Sequence, residues 1–254
     1  MSSTIKINDI MVPVEYKNST QETLEVILKE PKVVDYFARI DPIIVPTKVN
    51  ILSHKMLSKG VGFVWMDIES THKYSGKKLA GGVFLRGGSV ACLILIKNKE
   101  TSRLHYIKLV QTRVPCGKEI EEICAGMLDR DIGMMSGAMV KEIEEETGIK
   151  VHSTGTKSDV PTTQYNYLEE LGDFIPSGGG CDEIITTFWY MTEMSTSEID
   201  SMQGRLINHG DKTTEYIKVV IEDFNALNVA KTRDAKAMCS TLQLMARYPG
   251  FVPN

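Results

Sequence analysis

Three glutamates, Glu142, Glu145 and Glu146, stand at i, i+3 and i+4, a spacing that on a helix puts their carboxylates in neighbouring positions. Bare carboxylates so placed repel one another. Hard divalent cations relieve the repulsion, because magnesium takes oxygen ligands and keeps further positions for water and phosphate. Taken alone, the run equally describes a solvated acidic helix face. Downstream, Ser177-Gly178-Gly179-Gly180-Cys181-Asp182-Glu183 sets three glycines before two acids. Glycines let a backbone pass close to a phosphate, and a carboxylate at the end of such a loop can accept a proton from water; the plain alternative is a surface turn. Arg113, at the end of a β-forming run, carries a planar fork suited to phosphate. A lone strand arginine more often makes a surface salt bridge.

These residues need elements to hold them. Met134 to Thr147 reads as a helix with Met135, Met139, Val140 and Ile143 along one side, and Gly148 as its left-handed cap. Before it come a strand from Ile120 to Cys124, a loop from Gly126 to Gly133 and a turn at Pro115 to Lys118. Gly82 to Ile96, containing VFLRGGSVACLILI, and His105 to Arg113 read as a strand pair or hairpin. Further strands are expected at Ile184 to Met191 and Tyr216 to Ile221, and a helix at Asp234 to Tyr248. Residues 1 to 80 mix short β-branched runs with one helical stretch from Thr23 to Phe37 and read as a small α+β domain.

Lys141-Glu142-Ile143-Glu144-Glu145-Glu146-Thr147-Gly148-Ile149 resembles the second half of the Nudix box, with lysine where the family has arginine. The first half opens at Gly126-Met127-Leu128-Asp129 and departs further, because Gly133 takes the place of the first glutamate and one extra residue intervenes. Ile123-Cys124-Ala125-Gly126-Met127-Leu128-Asp129 looks like the entry to the box in the ADP-ribose and ADP-sugar diphosphatase branch. That branch also has segments similar to Gln111-Thr112-Arg113 and to the glycine-rich loop ending at Glu183. VFLRGGSVACLILI and RDAKAMCSTLQLMA look most like plant-type ADP-sugar diphosphatases.

The resemblance implies magnesium, or manganese, held by Glu142, Glu145, Glu146 and the main-chain carbonyl of Ala125. It implies Glu183 as the base, with Glu145 also counted in the catalytic set, and Arg113, Gly179 and Gly180 at the substrate. It implies cleavage of a nucleoside diphosphate sugar, ADP-glucose foremost, with ADP-ribose or UDP-glucose as alternatives and a non-catalytic nucleotide-binding protein as the reading from another class. The fold implied is α/β, a Nudix α/β/α sandwich around a mixed sheet at residues 81–254, preceded by a small β-rich domain at 1–80 that serves homodimerisation.

Composition narrows the rest. A net charge of -4 with no basic block gives nucleic acid binding no support. Arg86 and Gly87-Gly88 interrupt the longest apolar stretch, so no membrane span is expected. The five cysteines, Cys92, Cys116, Cys124, Cys181 and Cys239, form neither a zinc spacing nor a CxxC pair, which favours a reducing compartment. The N-terminus has no apolar signal core or arginine-rich amphipathic stretch, and a cytoplasmic location is the expectation. Trp65, Trp189, Tyr165 and Tyr167 could stack a base but are more often core, and Cys181 is read as packing.

Overall fold

The computed structural model describes residues 1–57, 60–128, 135–151, 153–154, 166–208, 216–229 and 231–250. Asp129, Gly133 and Tyr165 lie outside them, with most of the loop before the acidic helix. The chain divides into two compact units, Met1–Gly88 with Ile175–Ile184, and Ser89–Phe174 with Ile185–Asn254.

The first unit runs β1 (Ser2–Ile7), β2 (Ile10–Glu15), α1 (Gln21–Leu28), α2 (Pro31–Ala38), β3 (Ile44–Leu57), β4 (Gly60–His72), β5 (Lys78–Leu79) and β6 (Gly82–Leu85). Its sheet has the order β1-β2-β3-β4-β5, with β6 also on β4. Val12, Val14, Val49, Val64 and Met66 face Leu24, Ile27, Val33 and Phe37 of the two helices to make one core. The single helix expected from Thr23 to Phe37 is two. Pro31 forces Glu30 into an extended conformation, φ -62° and ψ 126°, and becomes the first residue of α2.

The second unit holds β7 (Ser89–Asn98), β8 (Leu104–Arg113), β9 (Lys118–Glu122), β10 (Cys124–Met127), α3 (Met135–Thr147), β11 (Ser153–Thr154), β12 (Tyr167–Phe174) and β13 (Ile185–Met194). It continues through α4 (Thr196–Met202), β14 (Leu206–Asn208), β15 (Tyr216–Asp223), α5 (Ala226–Val229) and α6 (Ala235–Arg247). The sheet order is β11-β12-β13-β7-β8-β15-β14, with β10 on β7 and β9 on β8. Strands β13 and β7 are parallel, while β7 and β8 are antiparallel, so the sheet is mixed.

Central strand β7 explains the layering. Val90, Cys92, Ile94 and Ile96 face a core shared with Ala138, Met139 and Ile143 of α3 and Ile199 and Met202 of α4. Ala91, Leu93 and Leu95 point the other way, into a core with Val229, Ala237 and Leu244. A strand apolar on both faces needs cover on both, and the result is the α/β/α sandwich. The run Gly82 to Ile96 is therefore two strands in two sheets. Gly87 has φ 83°, a left-handed conformation open to glycine, and it lies between β6 on β4 and β7 on β13.

Candidate active site

Helix α3 is fixed from below by Met139 and Ile143, both fully buried, and ends at Gly148, φ 74°, whose N–H donates to the Glu144 carbonyl at 3.0 Å. A Cβ on Gly148 would also run into the guanidinium of Arg205, which donates to the Thr147 carbonyl at 3.1 Å. That pins the last turn, and with it the three glutamates.

Two of them turn to β10. Glu146 is 6% exposed, and its Oε2 accepts from the Ala125 N–H at 3.1 Å. Glu142 is half-buried and lies over Gly126 so closely that a Cβ there would overlap its carboxyl. Gly126 is not among the positive-φ glycines; its lack of a side chain makes a seat for Glu142. Burial drives the Glu146 carboxyl from its ordinary 4.5 up to about 8, the Glu142 charge adds to the rise, and hydrogen bonds from Cys124 and Ala125 oppose it. Burial also raises the Cys124 thiol, with the charge of Glu146 adding to it.

Glu145 is exposed, and its Oε1 lies 3.8 Å from the Lys141 ammonium. Among the described residues no three His, Cys, Asp or Glu side chains gather as a metal-holding group. The structure thus brings Glu146 to Ala125 and Glu142 to Gly126, and leaves Glu145 on the exposed side of the helix. The donor chemistry fits a hard cation. Two carboxylates and a peptide segment offer oxygen ligands, and a positive charge beside the buried carboxyl of Glu146, which stands at about 8, would favour its ionised form.

Arg113 ends β8, and its Nε donates to Glu122 Oε1 at 2.7 Å. The fork was expected to meet phosphate; the Nε bond orients it. Glu122 also accepts from the Lys236 ammonium at 2.9 Å. Asp234, the N-cap of α6, accepts from Lys236 Nζ at 2.9 Å and from the Ile123 N–H at 2.9 Å. Burial works against the Glu122 charge, but Lys236 and Arg113 prevail and hold its carboxyl below the ordinary value. Sequence reasoning passed over Glu122, Asp234 and Lys236. Their one visible signal is that Glu122 directly precedes the Ile123-Cys124-Ala125-Gly126 segment.

The glycine-rich loop belongs to the first unit. The Gly180 carbonyl accepts from the Phe84 N–H at 2.7 Å, and the Ser177 carbonyl accepts from Gly180 and Cys181. A Cβ at Gly179 or Gly180 would meet no atom within 4 Å, and neither has a positive φ. Neither crowding nor backbone conformation within the chain calls for glycine there. Glu183 is buried, with Oε2 3.2 Å from Arg86 Nη1. Asp182 serves structure: it accepts from the Arg86 and Gly87 N–H groups at 2.7 and 3.2 Å and pairs with Arg39 at 2.9 Å.

Trp189 is core, donating its indole N–H to buried Glu169 at 2.9 Å. Trp65 is exposed instead, tilted against Phe84, which stacks on Phe63. Cys181 is partly buried and bridges to Phe84.

No family model matches the chain. Over 211 residues it is 36% identical to "Nudix hydrolase 14, chloroplastic" of Arabidopsis thaliana, a match covering 78% of this chain. The chain is a homologue of a Nudix hydrolase. The match spans 62% of that relative's length. Among solved structures, "Crystal structure of ADP compounds hydrolase" superposes with a TM-score of 0.51 at 12% identity, covering 81% of this chain and 95% of that one. At that identity the shared property is the fold, which is of the Nudix type. Among the described residues no helix is long and apolar enough to cross a membrane.

Proposed function

We propose that this chain is a Nudix hydrolase that splits the diphosphate bridge of a nucleoside diphosphate sugar with magnesium, or manganese, converting ADP-glucose and water to AMP and glucose 1-phosphate. The observation that carries the reading is the seating of Glu142 and Glu146 of α3 on Ala125 and Gly126 of β10. Homology to a Nudix hydrolase supports it.

Glu142, Glu146 and the Ala125 carbonyl would hold the metal, with Glu145 as a further ligand from the same helix. When bound, magnesium neutralises the diphosphate and acidifies the attacking water. The other roles belong to the chain. Arg113, oriented through Nε by Glu122, offers a fork to a phosphate. Gly179 and Gly180 leave the loop backbone open to approach. Glu183 accepts the proton of the water as it attacks phosphorus, and Arg86 orients its carboxylate. The leaving phosphate takes the electron pair of the broken P–O bond. The protein acts as a homodimer built through its N-terminal domain, a reading supported by the exposed apolar residues Leu52, Met56, Leu57 and Trp65 of β3 and β4.

The test is turnover of ADP-glucose, ADP-ribose and UDP-glucose side by side, with magnesium and with chelator, products separated by chromatography. AMP and glucose 1-phosphate formed from ADP-glucose at the highest kcat/KM, and only with metal, is the expected result. Faster cleavage of ADP-ribose or UDP-glucose would reassign the substrate. Nucleotide binding without turnover of any of the three would identify a non-catalytic Nudix fold.

A further inference from the structure

Among the described residues, Arg113 is the solvent-reaching end of a cluster of four charges. Its side chain is 35% exposed, whereas those of Glu122, Lys236 and Asp234 are 5%, 17% and 6% exposed. The four come from three places: the end of β8, the end of β9, and the first turn of α6 with its N-cap. Glu122 is central, with Arg113 Nε at 2.7 Å on one carboxylate oxygen and Lys236 Nζ at 2.9 Å on the other.

Burying such a cluster is a poor way to gain stability, because desolvation offsets most of the attraction between the charges. It is a good way to fix a direction. An arginine at a strand end has a long, rotamer-rich side chain, and the next residues, Val114–Cys116, turn away as a 3-10 helix. Register places Arg113 opposite Lys118 and Leu109 opposite Glu122. Arg113 therefore folds back along the strand pair to reach Glu122. This carries its guanidinium toward the strand that continues through Ile123 to Ala125. Glu122 stands three residues before Ala125, whose N–H meets Glu146 of α3.

We infer that Glu122 is a positioning residue: held from behind by Lys236, it fixes the guanidinium of Arg113 for the substrate's phosphate, and so acts on substrate binding through Arg113. The inference rests on the proposed function, in which Arg113 meets that phosphate.

The experiment is steady-state kinetics with ADP-glucose and magnesium on the wild type, Glu122→Gln, Arg113→Ala, the double variant of these, and Lys108→Met as a control. Lys108 pairs with Glu121 and Glu222 at 2.8 and 2.6 Å, so its loss removes comparable ion pairs from the same strand. Glu122→Gln should raise KM about tenfold or more, the scale of a charge-assisted hydrogen bond, with kcat little changed. Arg113→Ala should raise KM at least as much. The double variant should be no worse than Arg113→Ala alone, because the two residues act in series. The control should keep the wild-type KM.

A wild-type KM in Glu122→Gln, with Arg113→Ala still impaired, would overturn the inference and leave Glu122 a structural ion-pair member. Additive losses in the double variant would overturn it too. If Glu122→Gln fails to fold, Glu122→Gln with Lys236→Met removes one charge of each sign and carries the same KM prediction. An inactive wild type would instead refute the function on which the inference rests.

Discussion

Glu146 carries the sharpest consequence at the scale of single residues. Its carboxyl has an ordinary value of 4.5 and stands at about 8 in the fold. The unfolded chain therefore loses this proton first as pH rises, and the fold's advantage is fully present below 4.5 and lost on the way to 8. Without metal, the melting temperature should fall across that window, and Glu146→Gln should flatten the fall, as thermal melts in chelator will report. Magnesium bound as proposed would displace the same proton, so its affinity should climb with pH and level off above about 8; a pH series of calorimetric titrations measures this. Gly126→Ala tests the seat of Glu142. The new Cβ would overlap the Glu142 carboxyl, so magnesium affinity should drop by about 10- to 100-fold while the melting temperature barely moves. Glutamate spacing put three carboxylates on one helix but could not say which would be buried. That depends on β10, which approaches Glu142 and Glu146 and not Glu145. Glu122 and Lys236 escaped notice for a similar reason, since they meet only when the fold brings the start of α6 to the end of β9.

Among elements, α3 shows how far periodicity reaches. Met139 and Ile143 were visible as its core side and are buried, and Gly148 is its left-handed cap. Met135 was placed on the same side and is exposed, while Glu146 and Thr147 are buried. The buried face is rotated toward the carboxylates because the helix covers β10 as well as β7. Ile143→Ala should cost about 2–5 kcal/mol by chemical denaturation, the range for an aliphatic side chain emptied from a packed core. Gly148→Ala should cost about 1–2 kcal/mol from the left-handed backbone alone, and more if Arg205 cannot shift. The boundaries that sequence misplaced have local causes. Pro31 divides one expected helix into two, and Arg86-Gly87-Gly88 divides one expected strand into two strands of different sheets.

For the molecule as a whole, the sandwich was implied by the resemblance, and its physical cause is β7, which is apolar on both faces and needs a layer on each. The mixed sheet was expected from the resemblance, but the pairing of β7 with β13 in particular was not legible in the residues, because a parallel pairing across a long connection leaves no local mark. Dimerisation is a property of this scale. Light scattering over a dilution series should give the mass of two chains of 28.3 kDa; the mass of one chain throughout would remove the dimer from the proposal. In the proposed function the chemistry depends on α3 and β10 meeting to hold a cation. The most direct test is ADP-glucose turnover across a magnesium titration, wild type against Glu146→Gln, with melting temperatures recorded in chelator. Glu146→Gln should remain folded and lose turnover by on the order of 100-fold or more, beyond the 10- to 100-fold typical of residues that merely support a metal ligand. A folded Glu146→Gln protein with the wild-type rate and the same magnesium dependence would contradict the proposed function.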